Sequence, residues 1–299
     1  MNKLLLIIGL LLLFLGCEDV SDLNMYEDAS TEKMLVADDT NPIIQATRGG
    51  GYGAVEILTA AHSCSGFMAD EHMIVTARHC FDGLGLQESS PQTVGVKLNY
   101  ADGGTKWRCM TSSIENAEGK CLDYENATVH RLSGNGDLVN RDLAAIFPDT
   151  VGESWRRVSI EDAVVGLYSG ETAPGSPYTF WGRGHKQFDE TGTGIMRHMS
   201  DTVDTLYSTA IETTADTTRI CKGDSGGPFM LLGSGNPWVF AVLSSYGNKE
   251  GSCVKVGRPF WGTRLSKSRI ENAINVWRVA EGLNECVPFM PDSDYWKCS

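Results

Sequence analysis

A serine with glycines on both sides is the residue of this chain whose surroundings best suit covalent chemistry. Ser225 lies in the segment 221–228, whose sequence is CKGDSGGP. The glycines favour a tight turn that exposes the hydroxyl and leaves backbone N–H groups available. A serine acts as a nucleophile only when a base takes its proton, and the resulting oxyanion needs donors already aimed at it. Gly223 and Ser225 are the candidate donors, although a structural turn between strands is the simpler interpretation of this segment alone.

A base and a group to orient it occur upstream, in the order histidine, aspartate, serine. The segment 74–80 has the pattern of an apolar strand that ends at His79, and Cys80 follows directly. Histidine suits a general base because its unperturbed pKa is about 6.5. Asp142 opens a second apolar strand in the segment 140–147, where its carboxylate is able to orient and stabilise an imidazolium. Each residue alone has an ordinary structural explanation, whereas the three together point to nucleophilic catalysis.

Four short motifs resemble those of the trypsin and chymotrypsin family of serine proteases. They are TARHC at 76–80, RDLA at 141–144, FWG at 180–182 and GDSGGP at 223–228. The resemblance implies a serine endopeptidase in which His79 is the general base, Asp142 its orienting partner and Ser225 the nucleophile. The N–H groups of Gly223 and Ser225 would then form the oxyanion hole. The resemblance also implies an all-β fold of two packed antiparallel β-barrels with a C-terminal helix.

The periodicity of the chain agrees with that fold. Segments 93–98 and 238–243 are short apolar runs between polar turns, as expected of antiparallel strands. Apolar residues at helical spacing predict one helix over 266–281, with Ser266 as its candidate cap. The core-facing residues of this helix are predicted to be Ile270, Ala273, Ile274 and Trp277.

Two further segments resemble the walls of the family's substrate pocket. They are SYG at 245–247 and PFWGTRL at 259–265. Together with the two residues that precede Cys221, they define the predicted pocket residues: Arg219, Ile220, Ser245, Tyr246, Gly247 and Phe260.

Two of these residues depart from relatives that cut after basic side chains. Such relatives carry an acidic residue six positions before the nucleophile, where this chain has Arg219. A trypsin-like preference for Lys or Arg is therefore not expected. Phe260 stands where the family usually has glycine, so its ring would shorten the pocket and favour small side chains. Arg219 would attract an acidic side chain if it points inward, and would be a surface charge if it points outward.

Cysteine spacing fits the same resemblance. The chain has nine cysteines, and eight of them allow 105 connectivities. The family implies that Cys64 pairs with Cys80 and Cys221 with Cys253, which leaves the local pairs Cys109 with Cys121 and Cys286 with Cys298. Such pairing indicates an oxidising compartment.

The ninth cysteine, Cys17, has a separate explanation. A short charged start is followed by an apolar stretch at 4–15 and then Gly16 and Cys17, and this stretch is too short to span a bilayer. Residues 1–16 resemble a bacterial lipoprotein signal, with Cys17 acylated and holding the protein on a membrane. An ordinary secretory signal remains the alternative. Both readings predict export, either to the periplasm or cell surface or as a released form.

The remaining segments define the predicted domain organisation. Residues 17–42 are acidic and predict a tether or propeptide, residues 43–281 are predicted to form the protease domain, and residues 282–299 a disulfide-closed extension.

In the family, a newly cut amino group pairs with the aspartate beside the nucleophile, here Asp224. Ile43 is the candidate new terminus, so cleavage near Pro42 would convert a zymogen and release it from its anchor. The region 83–140, inside the 63-residue gap between His79 and Asp142, predicts a disulfide-stapled insertion or a plain surface elaboration.

Charge and composition limit the partners. The formal net charge of −13 argues against nucleic-acid binding, and no metal-ligand cluster is visible in the sequence, so we expect neither a cofactor nor a metal. Protein or peptide substrates and a membrane surface are the expected partners. A catalytically silent, protease-like binding lipoprotein is the competing class. A lipase or esterase would need the order serine, aspartate, histidine and strands that alternate with helices, and neither is present.

Overall fold

A computed structural model gives the fold for residues 34–36, 53–86, 91–101, 107–109, 125–133, 138–148, 165–184, 197–214, 219–232, 237–247, 249–250, 253–254 and 257–299. In chain order the strands are β1 (Met34–Val36), β2 (Ala54–Leu58), β3 (Ser63–Met68), β4 (Ile74–Thr76), β5 (Gln92–Ala101), β6 (Trp107–Cys109), β7 (Glu125–Arg131), β8 (Ala144–Pro148), β9 (Gly166–Tyr168), β10 (Pro177–Gly182), β11 (Arg197–Thr202), β12 (Thr205–Leu206), β13 (Ala210–Thr214), β14 (Arg219–Cys221), β15 (Pro228–Leu232), β16 (Pro237–Tyr246), β17 (Lys249–Glu250), β18 (Cys253–Val254), β19 (Pro259–Arg264), β20 (Val287–Pro288) and β21 (Tyr295–Lys297). The strands predicted over 93–98 and 238–243 lie within β5 and β16.

Six strands close into an antiparallel barrel in the N-terminal half. Their order is β2-β3-β4-β8-β7-β5, and pairing of β5 with β2 completes the circle, with β6 added to the edge of β5. Alternate residues of β5, namely Val94, Val96 and Leu98, point into this barrel and are buried. This is the period-two pattern of a strand with one face in a core.

A second, larger sheet forms the C-terminal half. Its main path is β11-β10-β15-β16-β19-β13-β12, and β9 joins β16 in parallel. Its core contains a cluster of aromatic rings, in which Phe180 and Phe229 meet edge to face with centroids 4.9 Å apart. The all-β, chymotrypsin-like double-barrel fold predicted from the sequence is confirmed.

The predicted C-terminal helix is also confirmed, with bounds close to those expected. It begins with an α-helical turn, α2 (Lys267–Arg269), continues as a π-helical stretch at Ile270–Ile274 and ends with α3 (Asn275–Ala280); a short helix, α1 (Leu138–Arg141), precedes it in the chain. The four predicted core residues of this helix are all buried between the two halves. Ser266 occupies the cap position, but its hydroxyl makes no capping bond to the backbone.

The C-terminal extension packs onto the second half. Strand β21 pairs with both β20 and β9, and the disulfide between Cys286 and Cys298 closes the hairpin. Trp296 is buried there and donates a hydrogen bond of 2.9 Å from Nε1 to the hydroxyl of Ser169. The extension therefore completes the core.

Three of the four predicted disulfides are present: Cys64 with Cys80, Cys221 with Cys253 and Cys286 with Cys298. The fourth predicted pair, Cys109 with Cys121, falls outside what the structure describes, as do the signal segment, Cys17, Pro42 and Ile43. Of the predicted tether, the structure describes residues 34–36, which form β1 and pair with β14. Among the described residues, no helix is both long and apolar enough to cross a membrane.

Candidate active site

His79 lies on a helical turn, which corrects the prediction that it ends a strand. Strand β4 stops at Thr76, Ala77 is extended, and one 3₁₀ turn covers Arg78–Phe81. The disulfide from Cys80 to Cys64 ties this turn to β3. The β-branched run predicted the strand correctly, but its end depends on contacts that the sequence does not display.

Asp142 holds His79 at two points. One carboxylate oxygen accepts a 2.7 Å hydrogen bond from the imidazole Nδ1, and the other accepts one of 2.8 Å from the backbone N–H of His79. Because a carboxylate accepts, Nδ1 carries the proton and Nε2 presents its lone pair. Nε2 is buried and makes no hydrogen bond within the described part of the chain.

Ser244 is a functional residue that the sequence analysis missed. Its hydroxyl donates a 2.6 Å hydrogen bond to Oδ2 of Asp142, the oxygen that also accepts from the imidazole. Both Ser244 and Asp142 are fully buried. Ser244 is followed by a second serine, Ser245, and only the register of β16 decides which of the two faces the carboxylate.

The environment of Asp142 favours its charged form. Burial alone would raise the pKa of Asp142, but the positive charge of His79 in its protonated form and the hydrogen bonds from His79 and Ser244 more than offset it, so the pKa lies below its ordinary value. Asp142 is therefore a buried carboxylate that stays ionised beside the imidazole.

The segment that carries Ser225 is the predicted tight turn. Gly223 and Gly226 have φ values of 90° and 82°, a region that favours glycine, and the N–H of Gly227 donates to the carbonyl of Asp224 at 2.8 Å. A Cβ at Gly226 would collide with Oγ1 of Thr76, so this turn requires glycine where it meets the first barrel.

The nucleophile turn lies directly against the turn that carries His79. The carbonyl oxygen of Ser225 accepts a 2.8 Å hydrogen bond from the N–H of Ser65, and Sγ of Cys80 lies 3.8 Å from the same oxygen. The structure thus brings the backbone of Ser225 beside the residue that follows His79, although 145 positions separate Ser225 from Cys80.

Asp224 is fully buried, and its carboxylate lies against Gly182, at the end of β10, and Gly184. Its carboxylate accepts hydrogen bonds from the N–H groups of Gly184, at 3.0 Å, and Cys221, at 3.3 Å. Burial raises the pKa of Asp224 well above its ordinary value, while the Gly184 bond and the charge of Arg197 act in the opposite direction. Arg197 donates to the carbonyl of the same Gly184 at 2.7 Å. The predicted pairing of Asp224 with a new N-terminus stays a prediction.

Two predicted pocket residues belong to the aromatic core of the second half. Phe260 and Ile220 are both fully buried, and the Phe260 ring stacks on Phe229 with centroids 6.2 Å apart. Ser245 is also buried, and within the described residues its hydroxyl has no hydrogen-bond partner.

The other three predicted pocket residues are placed by their backbones. Arg219 and Tyr246 lie on β14 and β16, where Tyr246 pairs with Phe260, and their side chains fall outside what the structure describes. The N–H of Gly247 donates to the carbonyl of Pro259 at 3.1 Å. The two predicted wall segments are therefore neighbours.

One group of potential metal ligands lies at the site. Atoms of Cys64, His79 and Cys80 come within 4.8 Å of one another. The two cysteines form a disulfide, so neither is a thiolate and the group does not suit a metal ion.

Comparison with known families agrees with this geometry. A family model described as Trypsin matches residues 45–264. None of the curated proteins compared with the chain gives a significant match. The match covers most of the chain and contains the histidine, aspartate and serine described above. The chain belongs to the trypsin family, whose members are serine peptidases.

Proposed function

We propose that this protein is an exported serine endopeptidase that cuts peptide bonds through Ser225, His79 and Asp142. The observation that carries this proposal is the pair of hydrogen bonds that His79 donates to Asp142, from Nδ1 and from its backbone N–H, beside the turn that bears Ser225. This arrangement leaves Nε2 of His79 as the basic nitrogen, which is what proton removal from a serine requires.

The reaction would proceed in two displacements. The hydroxyl oxygen of Ser225 bonds to the peptide carbonyl carbon while Nε2 of His79 takes its proton, and the carbonyl electrons move onto oxygen. Collapse of this intermediate breaks the C–N bond as the imidazolium gives its proton to the leaving amine. Water then gives a proton to the same imidazole and bonds to the acyl carbon; collapse of this second intermediate breaks the ester bond to Ser225 as the imidazolium returns the proton to the serine oxygen, which releases the carboxylic acid product.

Asp142 and Ser244 would support this cycle by charge and position. The ionised, buried carboxylate stabilises the imidazolium that forms after each proton transfer. The Ser244 hydroxyl holds one carboxylate oxygen in place at 2.6 Å. The N–H groups of Gly223 and Ser225 would bind the oxyanion, a contribution worth about 10²–10³-fold in rate for each donor.

Specificity would differ from that of trypsin. Phe260 and Ile220 are fully buried in the aromatic core of the second half, so the pocket predicted beside them would be too shallow for a long basic side chain. We infer a preference for small apolar side chains, with acidic side chains as the alternative if Arg219 faces the pocket.

The cellular location of the protein and its activation by cleavage are proposed from the sequence alone. Cys17 would carry a lipid that holds the enzyme on a membrane, and the disulfides suit an exported protein. Cleavage near Pro42 would free a new terminus at Ile43 for Asp224. Intact-mass analysis of active enzyme tests this, since active protein that retains Cys17 and its lipid would contradict it.

Active-site labelling tests the proposed function. Purified mature protein is treated with a fluorophosphonate probe beside the variants Ser225→Ala and His79→Ala, and a peptide library then gives the cleavage profile. We expect labelling at Ser225 that both variants lose. Protein that stays unlabelled even after removal of residues 1–42 would favour the second candidate, a silent protease-like binding protein, for which the full burial of Phe260 at the predicted pocket is the supporting observation.

A further inference from the structure

The hydroxyl of Ser65 lies between the nucleophile turn and the end of β10. Ser65 belongs to β3 of the first barrel and is fully buried. Its Oγ donates a 2.6 Å hydrogen bond to the carbonyl of Gly223 and accepts one of 2.9 Å from the N–H of Arg183. Its own N–H donates to the carbonyl of Ser225 at 2.8 Å. One residue therefore binds both members of the candidate oxyanion hole.

The bond to Gly223 acts on the peptide group that joins the two candidate donors. The N–H of Gly223 precedes the Gly223–Asp224 peptide, and the N–H of Ser225 follows it. A peptide group is planar, so fixing its carbonyl oxygen restricts the orientation of the whole plane. Gly223 has a φ of 90° and no Cβ, so its own conformational preferences hold this plane only weakly. Within the turn, the N–H of this peptide donates a long hydrogen bond of 3.3 Å to the carbonyl of Cys221, and the 2.6 Å bond from Ser65 adds a shorter restraint from the first barrel.

Ser65 is itself held from both halves of the protein. Its carbonyl oxygen accepts a 2.7 Å hydrogen bond from Oγ1 of Thr76 on β4. Arg183, whose N–H reaches the Ser65 hydroxyl, is fully buried and donates from its guanidinium to the carbonyl of Ala54 at 2.9 Å and 2.8 Å. The Ser65 hydroxyl is thus part of a buried network, and such networks hold one geometry when their members are satisfied.

We propose that Ser65 is a positioning residue whose hydroxyl holds the Gly223 and Ser225 N–H groups in the orientation that binds the oxyanion. This inference rests on the proposed function, because it needs an oxyanion to form at Ser225. Donors fixed before the reaction cost no reorganisation when charge develops, whereas a displacement of about 1 Å can cost about 10²-fold in rate.

The test measures chemistry and binding separately in Ser65→Ala. The fluorophosphonate probe gives the maximal labelling rate, for which the phosphonyl oxygen must enter the oxyanion hole, and the probe's reversible binding constant. Ser63→Ala is the matched control, since Ser63 is on the same strand and within the described residues its buried hydroxyl has no hydrogen-bond partner. Ser65→Thr keeps the donor and tests rescue.

We expect Ser65→Ala to lower the maximal labelling rate by about 10- to 100-fold, with binding changed by less than about 3-fold. Ser63→Ala and Ser65→Thr should stay near the wild-type rate. Folded Ser65→Ala that labels at the wild-type rate would overturn the inference, whereas wild-type protein that never labels would overturn the proposed function and this inference with it.

If Ser65→Ala does not fold, Ser65→Gly leaves room for a water molecule between Gly223 and Arg183. It should still label about 10-fold more slowly, because a mobile water restrains the carbonyl less firmly, and labelling of Ser65→Gly at the wild-type rate would also overturn the inference.

Discussion

The hydroxyl of Ser244 and the imidazole of His79 donate to the same oxygen of Asp142, at 2.6 Å and 2.7 Å. The carboxylate is fully buried and its pKa lies below the ordinary value, so these bonds are made to a charge. A hydrogen bond to a charged group contributes about 1.5–3 kcal/mol.

Ser244→Ala should therefore lower the free energy of unfolding by about 1.5–3 kcal/mol at neutral pH. The pKa of Asp142 is depressed in the folded protein, so the stabilisation from its charge is present above the unfolded pKa and is lost as pH falls through the folded pKa. The difference between wild type and variant should shrink at acidic pH. Urea unfolding at several pH values measures this, and a difference that grows on acidification would contradict it.

Asp142→Asn should preserve the fold and remove most of the activity. An amide can donate to Nδ1 of His79, which would favour the tautomer with its proton on Nε2, the wrong nitrogen for a base. The same change in a triad of this type costs about 10⁴-fold in kcat. The fluorophosphonate labelling rate checks the loss, with circular dichroism as the test of folding. A loss of less than about 10-fold would argue against the assigned role.

Gly226→Ala should destabilise the protein far more than Gly175→Ala. The two glycines have nearly the same φ, 82° and 83°, so backbone strain is matched. A Cβ at Gly175 meets nothing within 4 Å, whereas one at Gly226 collides with Thr76 and with the Ser65 carbonyl. We expect a cost of about 1–2 kcal/mol at Gly175, and a larger cost or failure to fold at Gly226. Equal melting temperatures for the two variants would contradict this packing.

Asp224→Asn should change the pH dependence of stability. The folded pKa of Asp224 is raised, mainly by burial, so the folded state binds more protons than the unfolded state between the ordinary and the raised pKa. Stability from this group is therefore lost as pH rises through that window. Asparagine removes the titration and keeps an acceptor for the Gly184 N–H, so the unfolding free energy of the variant should fall less between acidic and neutral pH. Chemical unfolding at several pH values measures this, and a variant that follows the wild-type profile would contradict it.

Asp70 and Arg278 form a buried ion pair that joins the first barrel to the C-terminal helix. Arg278 also donates to a backbone oxygen of Ser299 at 2.9 Å. Arg278→Met should destabilise the fold by about 3–5 kcal/mol, because it leaves the Asp70 charge buried and unpaired. Adding Asp70→Leu should recover a large part of that loss. A double-mutant cycle by chemical unfolding measures the coupling, and strictly additive effects would show that the pair is not coupled.

The sequence by itself determined the features that depend on local pattern. The GDSGGP turn, the apolar strand before His79 and the helix over 266–281 were predicted because glycine conformation and hydrophobic period act over a few residues. Two disulfides, Cys64 with Cys80 and Cys221 with Cys253, followed from the family resemblance, and the third, Cys286 with Cys298, from the local spacing of the remaining cysteines. The end of β4 at Thr76 was placed wrongly, because the 3₁₀ turn at His79 depends on its bonds to Cys64 and Asp142.

Only the tertiary structure decided which polar groups meet. Ser244 and Asp142 are 102 positions apart, and Ser65 and Gly223 are 158 apart, so no local pattern marks either pair. A shift of one residue in β16 would turn Ser245 instead of Ser244 toward the carboxylate, because successive side chains of a strand face opposite sides. Register and the packing of one barrel against the other choose these partners. The types of the reacting residues could therefore be predicted from the sequence, whereas the hydrogen bonds that hold them in place form only in the folded protein.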